Sequence, residues 1–319
     1  MQPLRLAFIG SPRNASPCLL HALNRIGALE ALCVEDAERE APKYHARWAY
    51  SDLASLLKEA RPDGAIIQLP PEERGSVIRQ CLAGGIGVLM TGTPGGMAAC
   101  RRLDTLAKLA GRFVLAASPL RFSPAMLLAR RLLESGKFGT QVSMSIRSIR
   151  RGQLQTSVDH PSPIAEDQLF ELVDVVHSLV GPITRVFAVP HSEGCLAATL
   201  VADSGTLVSA LLHAHGSADA VGLLFEIRAS DGNSLTMDQD CRLSCGNGTR
   251  ADALHGPSLA IADPTLELGY EGLLAEFRAS MEVRGSSRSG CAGPWRDVLG
   301  VCEAVVASAA KGKSFTVKK

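Results

Sequence analysis

The sequence predicts an α/β chain in two domains. A doubly wound parallel sheet is expected over residues 1–120, and an α+β domain with a mostly antiparallel sheet over residues 121–319. Three observations carry this. Strand and helix signals alternate through the first 120 residues. Beyond residue 122, strand-like stretches follow one another closely with turn residues between them. The 319 residues, 46% of them hydrophobic, suffice for two cores.

Each element has a local reason. Residues 4–10 form a short apolar run closed by Gly-Ser-Pro, which reads as a buried strand and its turn. Residues 16–26 read as a helix because Leu19, Leu20, Leu23 and Ile26 share one side at helical spacing. A second strand, 29–34, is closed by Glu35 and Asp36, and a third, 64–69, by Pro70-Pro71. The fourth, 88–90, ends at Thr91-Gly92-Thr93-Pro94, and the fifth covers 113–117. Helices are expected at 72–83 and 97–110. Such alternation implies parallel strands joined by right-handed crossovers. A further helix runs to about Ser135 and stops at Gly136-Lys137-Phe138-Gly139. Strands follow at 141–149, 184–190, 195–202, 206–214 and 221–229, interrupted by a helix over 164–180. Two helices, 268–283 and 295–310, close the chain and are able to pack back on the first domain. The stretch 284–293 (RGSSRSGCAG) reads as a flexible loop.

Composition excludes several function classes. The net charge of +1 gives no footprint for nucleic acid or an acidic membrane. No apolar run reaches the roughly 18–20 residues that span a bilayer. Met1-Gln2-Pro3 leads straight into the first strand, so no signal peptide is expected and the protein reads as cytoplasmic. Nine scattered cysteines form no C-x-x-C pair and read as free thiols, with no metal site.

The turn after the first strand is where a nucleotide would bind. In a Rossmann domain a glycine-rich turn lets the pyrophosphate approach the backbone at a helix N-terminus. Here the six residues are Gly10-Ser11-Pro12-Arg13-Asn14-Ala15. Only the first glycine of G-x-G-x-x-G/A is kept, and the final alanine is permitted. Pro12 has no N–H to donate and places a ring where the phosphates pass. Glu35, at the end of the second strand, suits a ribose hydroxyl and disfavours a 2′-phosphate, which favours NAD over NADP. The competing reading is a tight turn in a sheet that binds nothing.

Longer segments resemble the glucose–fructose oxidoreductase / inositol dehydrogenase (Gfo/Idh/MocA) family along nearly the whole chain. Asp52-Leu53-Ala54-Ser55-Leu56-Leu57 and Arg61-Pro62-Asp63-Gly64-Ala65-Ile66-Ile67 are similar to its D-L-x-x-L-L…x-P-D-A-V-x-I. Pro70-Pro71 matches its t-P-p turn, Arg121-Phe122-Ser123-Pro124-Ala125 its R-F-x-P-A, and Glu134 to Gly139 its x-x-G-x-I-G. Gly269-Tyr270 to Phe277 and Ala304-Val305 to Ala309 resemble its closing helices. The resemblance implies a Rossmann domain and a second domain with a large open, mostly antiparallel sheet. It further implies NAD(P)-dependent oxidation or reduction at a sugar or cyclitol carbinol, and homo-oligomers formed through that sheet. It places Leu69, Pro70, Thr91, Thr93 and Pro94 with Gly10 to Asn14 and Glu35 around the cofactor, and Arg121 and Asp174 near the substrate.

The sequence departs from this family at its chemistry. The family's E-K-P, whose lysine polarises the reacting hydroxyl, is replaced by Thr91-Gly92-Thr93-Pro94. No Lys or Arg lies between Arg79 and Arg101, so a shifted alignment does not restore the lysine. The family's D-x-x-x-H becomes Asp167-x-x-x-Glu171, with a glutamate where the acid/base histidine belongs. A histidine that usually follows the t-P-p turn is here Arg74.

At about 100° per residue, Asp167, Glu171, Asp174 and Ser178 share one stripe of their helix, opposite Leu169, Leu172, Val173, Val176, Leu179 and Val180. The stripe is either a solvated acidic face or, as the resemblance implies, the cleft-facing one. In the second case mutual repulsion raises carboxylate pKa values, and Glu171 becomes a candidate general acid/base with Asp167 beside it. His177 lies on the flank of this helix and reads as a packing or surface residue. His213 and His215 alternate on a strand and read as a packed or interface pair. Arg147, Arg150 and Arg151 read as a solvated strand end or as a hold for an anionic substrate. Two functions follow: an oxidoreductase with an altered centre, or a non-catalytic nucleotide- or sugar-binding sensor or partner subunit on the same fold.

Overall fold

A computed structural model describes residues 4–10, 17–26, 29–90, 92–93, 95–116, 118–151, 166–192, 194–216, 222–238, 241–247, 251–255, 269–282, 290–292 and 295–317. The chain forms two compact units. The first comprises Met1–Phe122 with Pro264–Arg296, and the second Ser123–Asp263 with Asp297–Lys319.

The first unit is a seven-stranded sheet, parallel at every pairing. Its strands are β1 (Leu6–Gly10), β2 (Leu29–Cys33), β3 (Trp48–Tyr50), β4 (Gly64–Gln68), β5 (Gly87–Met90), β6 (Phe113–Ala116) and β15 (Gly290–Ala292). Their order is β15-β6-β5-β4-β1-β2-β3. The helices are α1 (Pro17–Arg25), α2 (Ala37–Glu40), α3 (Leu53–Glu59), α4 (Pro71–Ala83), α5 (Met97–Leu109) and α8 (Tyr270–Glu282). β1, β5 and β6 are buried along their full length, as strands covered on both faces must be.

Several family-like segments have plain structural reasons. Asp52 caps α3, its carboxylate accepting from the Ser55 amide at 2.9 Å, and this hydrogen bond holds the carboxyl below its usual range. Asp63 ties the start of β4 to that of β1 by accepting from the Arg5 amide at 2.9 Å and from its guanidinium at 3.2 and 3.3 Å.

The sheet has two more strands than the five expected. β3 is a three-residue edge strand, too short to give an alternation signal. β15 corrects the reading of 284–293 as a loop. Gly290–Ala292 pairs in parallel with β6, and the partner that makes it a strand lies far back in the chain. α8 also belongs to the first core: Leu273, Leu274 and Phe277 are buried among Leu6, Leu19, Leu23 and Phe113. Glu271 on α8 pairs with Arg25 on α1 at 3.0 Å. Ile26, placed by its spacing on the apolar side of α1, lies past the helix end and is exposed.

The second unit is a nine-stranded sheet, antiparallel except where β7 meets β10. Its strands are β7 (Gln141–Arg151), β8 (Ile183–Ser192), β9 (Cys195–Ala202), β10 (Leu207–Gly216), β11 (Gly222–Ala229), β12 (Ser234–Met237), β13 (Leu243–Gly246), β14 (Ala251–His255) and β16 (Phe315–Thr316). The order is β14-β13-β12-β11-β7-β10-β9-β8-β16. Arg150 and Arg151 therefore lie within β7 and not beyond its end.

Among the described residues, three helices belong to this unit: α6 (Pro124–Glu134), α7 (Glu166–Val180) and α9 (Trp295–Lys311), the last beginning in the first unit. Ser123 caps α6 by accepting from the Met126 amide, and Gly136, in the left-handed region, ends it. Gln168 fixes α7 to two strands at once, donating to Ser148 on β7 and to the His213 carbonyl on β10. On α9, Ser308 accepts from the Ala188 amide of β8 and donates to the Lys313 carbonyl. Away from these helices the sheet exposes Phe187, Val189 and Leu207. Among the described residues, no helix is long and apolar enough to cross a membrane.

Candidate functional site

In an open parallel sheet, ligands bind beyond the carboxyl ends of the strands, where the strand order reverses. Here that point lies between β1 and β4, whose last residues, Gly10 and Gln68, are paired. Gly10 is required by space. A Cβ on it would lie 2.2 Å from the Gln68 carbonyl oxygen, so the two strand ends approach as only glycine allows.

Ser11, Pro12, Arg13 and Asn14, which form the expected phosphate turn, lie outside the described residues, as do Thr91 and Pro94. Glu35 is exposed just past the end of β2, the neighbour of β1. Its carboxylate accepts hydrogen bonds and repels a phosphate, the chemistry a free ribose diol requires. Leu69 and Pro70 follow β4 half-buried, and Pro70 is the residue before α4. Thr93, after β5, is 3% exposed, and its hydroxyl accepts from the Gly95 amide at 2.9 Å.

The structure adds a residue that resemblance flagged only as a departure. Arg74, in the first turns of α4, is 4% exposed. Its Nε donates to the Leu69 carbonyl at 2.6 Å and its Nη1 to the Thr93 carbonyl at 2.8 Å. One guanidinium thus bridges the loops after β4 and β5. The sequence marked Arg74 only by its resemblance-based position; neither its burial nor its two acceptors, both main-chain carbonyls, were legible there.

Arg121 lies half-buried in the 3-10 turn Pro119–Phe122 of the first unit. The opposite wall of that turn is α8: a Cβ on Gly272 would come within 2.8 Å of the Phe122 Cβ.

In the second unit, α7 carries the acidic stripe. Asp167 and Glu171 are half-buried and Asp174 is 1% exposed. Along the stripe only Asp174 is buried, and Ser178, like Asp167 and Glu171, is half-buried. Burial raises the thiol pKa of Cys302 on α9, and the Asp174 charge adds to this. Burial likewise pushes Cys33 up to about 11 and Cys81 to about 12, so these thiols stay protonated and are no nucleophiles at neutral pH. Cys33, Cys81, Cys195 and Cys302 are free thiols.

Whole-chain likeness to solved structures is extensive. Levoglucosan dehydrogenase in its apo form superposes with a TM-score of 0.80 at 16% identity, covering 100% of both chains. An NAD binding oxidoreductase from Klebsiella pneumoniae gives 0.80 at 16% identity, over 99% of this chain and 100% of that one. An oxidoreductase from Agrobacterium radiobacter, in complex with NAD+, L-tartaric acid and magnesium, gives 0.78 at 14% identity, over 99% of each. The chain has the fold of these oxidoreductases. No protein-family model matches the sequence, and no curated protein does.

Proposed function

We propose that this chain is a nicotinamide-dinucleotide oxidoreductase of the Gfo/Idh/MocA type, acting on a sugar- or cyclitol-like hydroxyl through an altered centre. The observation that carries this is the strand-end edge at the β1/β4 switch point, on a fold shared end to end with oxidoreductases solved with NAD+ or NADH. One of these is levoglucosan dehydrogenase in complex with NADH and levoglucosan, at a TM-score of 0.79. The cofactor, when bound, supplies the hydride acceptor or donor. Glu35 holds a ribose hydroxyl, which favours NAD over NADP. Gly10 with Ser11 to Asn14 takes the phosphates, and Leu69, Pro70, Thr91, Thr93 and Pro94 line the edge beyond. Arg121 and Asp174 serve the substrate side, Asp174 from within the interior.

Glu171 holds or releases the hydroxyl proton in place of the missing histidine, with Asp167 one turn before it. In this reading the first unit, Met1–Phe122 with Pro264–Arg296, is the nucleotide domain, and the second, Ser123–Asp263 with Asp297–Lys319, is the substrate and assembly domain. Homo-oligomers form through the exposed sheet residues Phe187, Val189 and Leu207.

The test is a titration with NADH and NADPH followed by nicotinamide fluorescence. NADH should bind saturably with a Kd below about 1 mM, within the ordinary range for enzyme ligands, and more tightly than NADPH. No binding at that concentration overturns the proposal. In a sugar panel, Glu171→Gln should lower kcat by about 10²–10⁴-fold and leave the NADH Kd unchanged. An unaltered kcat would remove Glu171 from the chemistry.

The second reading, a non-catalytic sensor or partner subunit, is favoured by the absence of any Lys or Arg between Arg79 and Arg101. Tight NADH binding without turnover of any sugar would select it.

A further inference from the structure

We propose that Arg74 is a positioning residue for the cofactor edge, setting the spacing of the loops after β4 and β5 by holding one carbonyl of each. This rests on the nicotinamide-dinucleotide reading above and adds a residue to it.

The two acceptors share a chemical feature. The Leu69 carbonyl belongs to the Leu69-Pro70 peptide and the Thr93 carbonyl to the Thr93-Pro94 peptide. Neither peptide has an N–H, so neither offers a ligand a main-chain donor, and the carbonyl is its single polar group. With both carbonyls held by Arg74, the two peptide dipoles point their negative ends at the buried guanidinium. A guanidinium suits this task because its nitrogens form a rigid planar fork that fixes two acceptors relative to each other. The charge assists both hydrogen bonds. Thr93 is itself anchored to Gly95, so the position set by Arg74 passes to the loop leading into α5.

Arg74→Lys keeps the charge but replaces the fork with a single nitrogen, and Arg74→Gln removes the charge. Both variants should bind NADH at least tenfold more weakly than the wild type, with lysine giving no rescue. Arg79→Gln, on the exposed side of the same helix, should match the wild type. Amide exchange in the cofactor-free protein should quicken in peptides covering residues 64–75 and 87–97 together. Variants that lose thermal stability yet bind NADH within twofold of the wild type would overturn the proposal, since Arg74 would then be structural only. So would faster exchange confined to one of the two loops. Absence of NADH binding by the wild type would count against the functional reading, whereas the exchange data judge the bridge independently.

Discussion

Gly10→Ala should lower the midpoint of thermal unfolding by roughly 6–12 °C, from a cost of about 3 kcal/mol at about 2–4 °C per kcal/mol for a chain of this size. The added methyl would sit 2.2 Å from the Gln68 oxygen and 3.0 Å from its carbonyl carbon. Both are main-chain atoms in a ladder between two buried strands, so no side chain can swing away. The strand ends must part, which breaks the β1–β4 register at Gly10–Gln68. Gly136→Ala is the control. Gly136 has φ +72° with nothing within 4 Å of a Cβ, so only backbone strain of about 1–2 kcal/mol applies. Melting curves of both variants by circular dichroism decide the point. If Gly10→Ala melts within 2 °C of the wild type, Gly10 is not set by this close approach.

Phe277→Ala should cost about 3–5 kcal/mol, as large-to-small changes at fully buried aromatic positions do. Phe277 is 0% exposed and meets Phe113 edge-to-face at 5.5 Å, a geometry worth about 0.5–1.5 kcal/mol beyond its area. It also fills the space over Gly64, whose missing side chain leaves room for it at the start of β4. The consequence is specific in place: although Phe277 lies on α8, the loss should appear in the first unit. Amides of β4 and β6 should lose exchange protection, while those of β9 and β10 keep theirs. Native protection in β4 and β6 would show that α8 is dispensable to that core.

The motifs legible in the sequence turn out to be scaffold devices. Asp52 caps a helix, Asp63 clamps two strand starts through Arg5, Ser123 caps α6, and Gly272 admits the turn that carries Arg121. Each acts over short distances or between fixed neighbours, which is why a linear pattern records it. The unread strands β3, β15, β12, β13, β14 and β16 are short, and their pairing partners define them more than their own residues do. The acidic stripe shows the limit of periodicity. Spacing placed Asp167, Glu171 and Asp174 on one face, but only the tertiary fold made Asp174 an interior carboxylate, its charge acting on Cys302 of α9.

By itself the sequence determined the doubly wound domain and the antiparallel-rich second domain, because hydrophobic period is a local property. The tertiary structure alone decided that α8 and β15 return to the first sheet, and that Arg74 joins two loops through their carbonyls. Those outcomes depend on main-chain atoms and on partners far apart in the chain. Backbone carbonyls are identical at every residue, so no side-chain pattern marks which of them a buried arginine will hold.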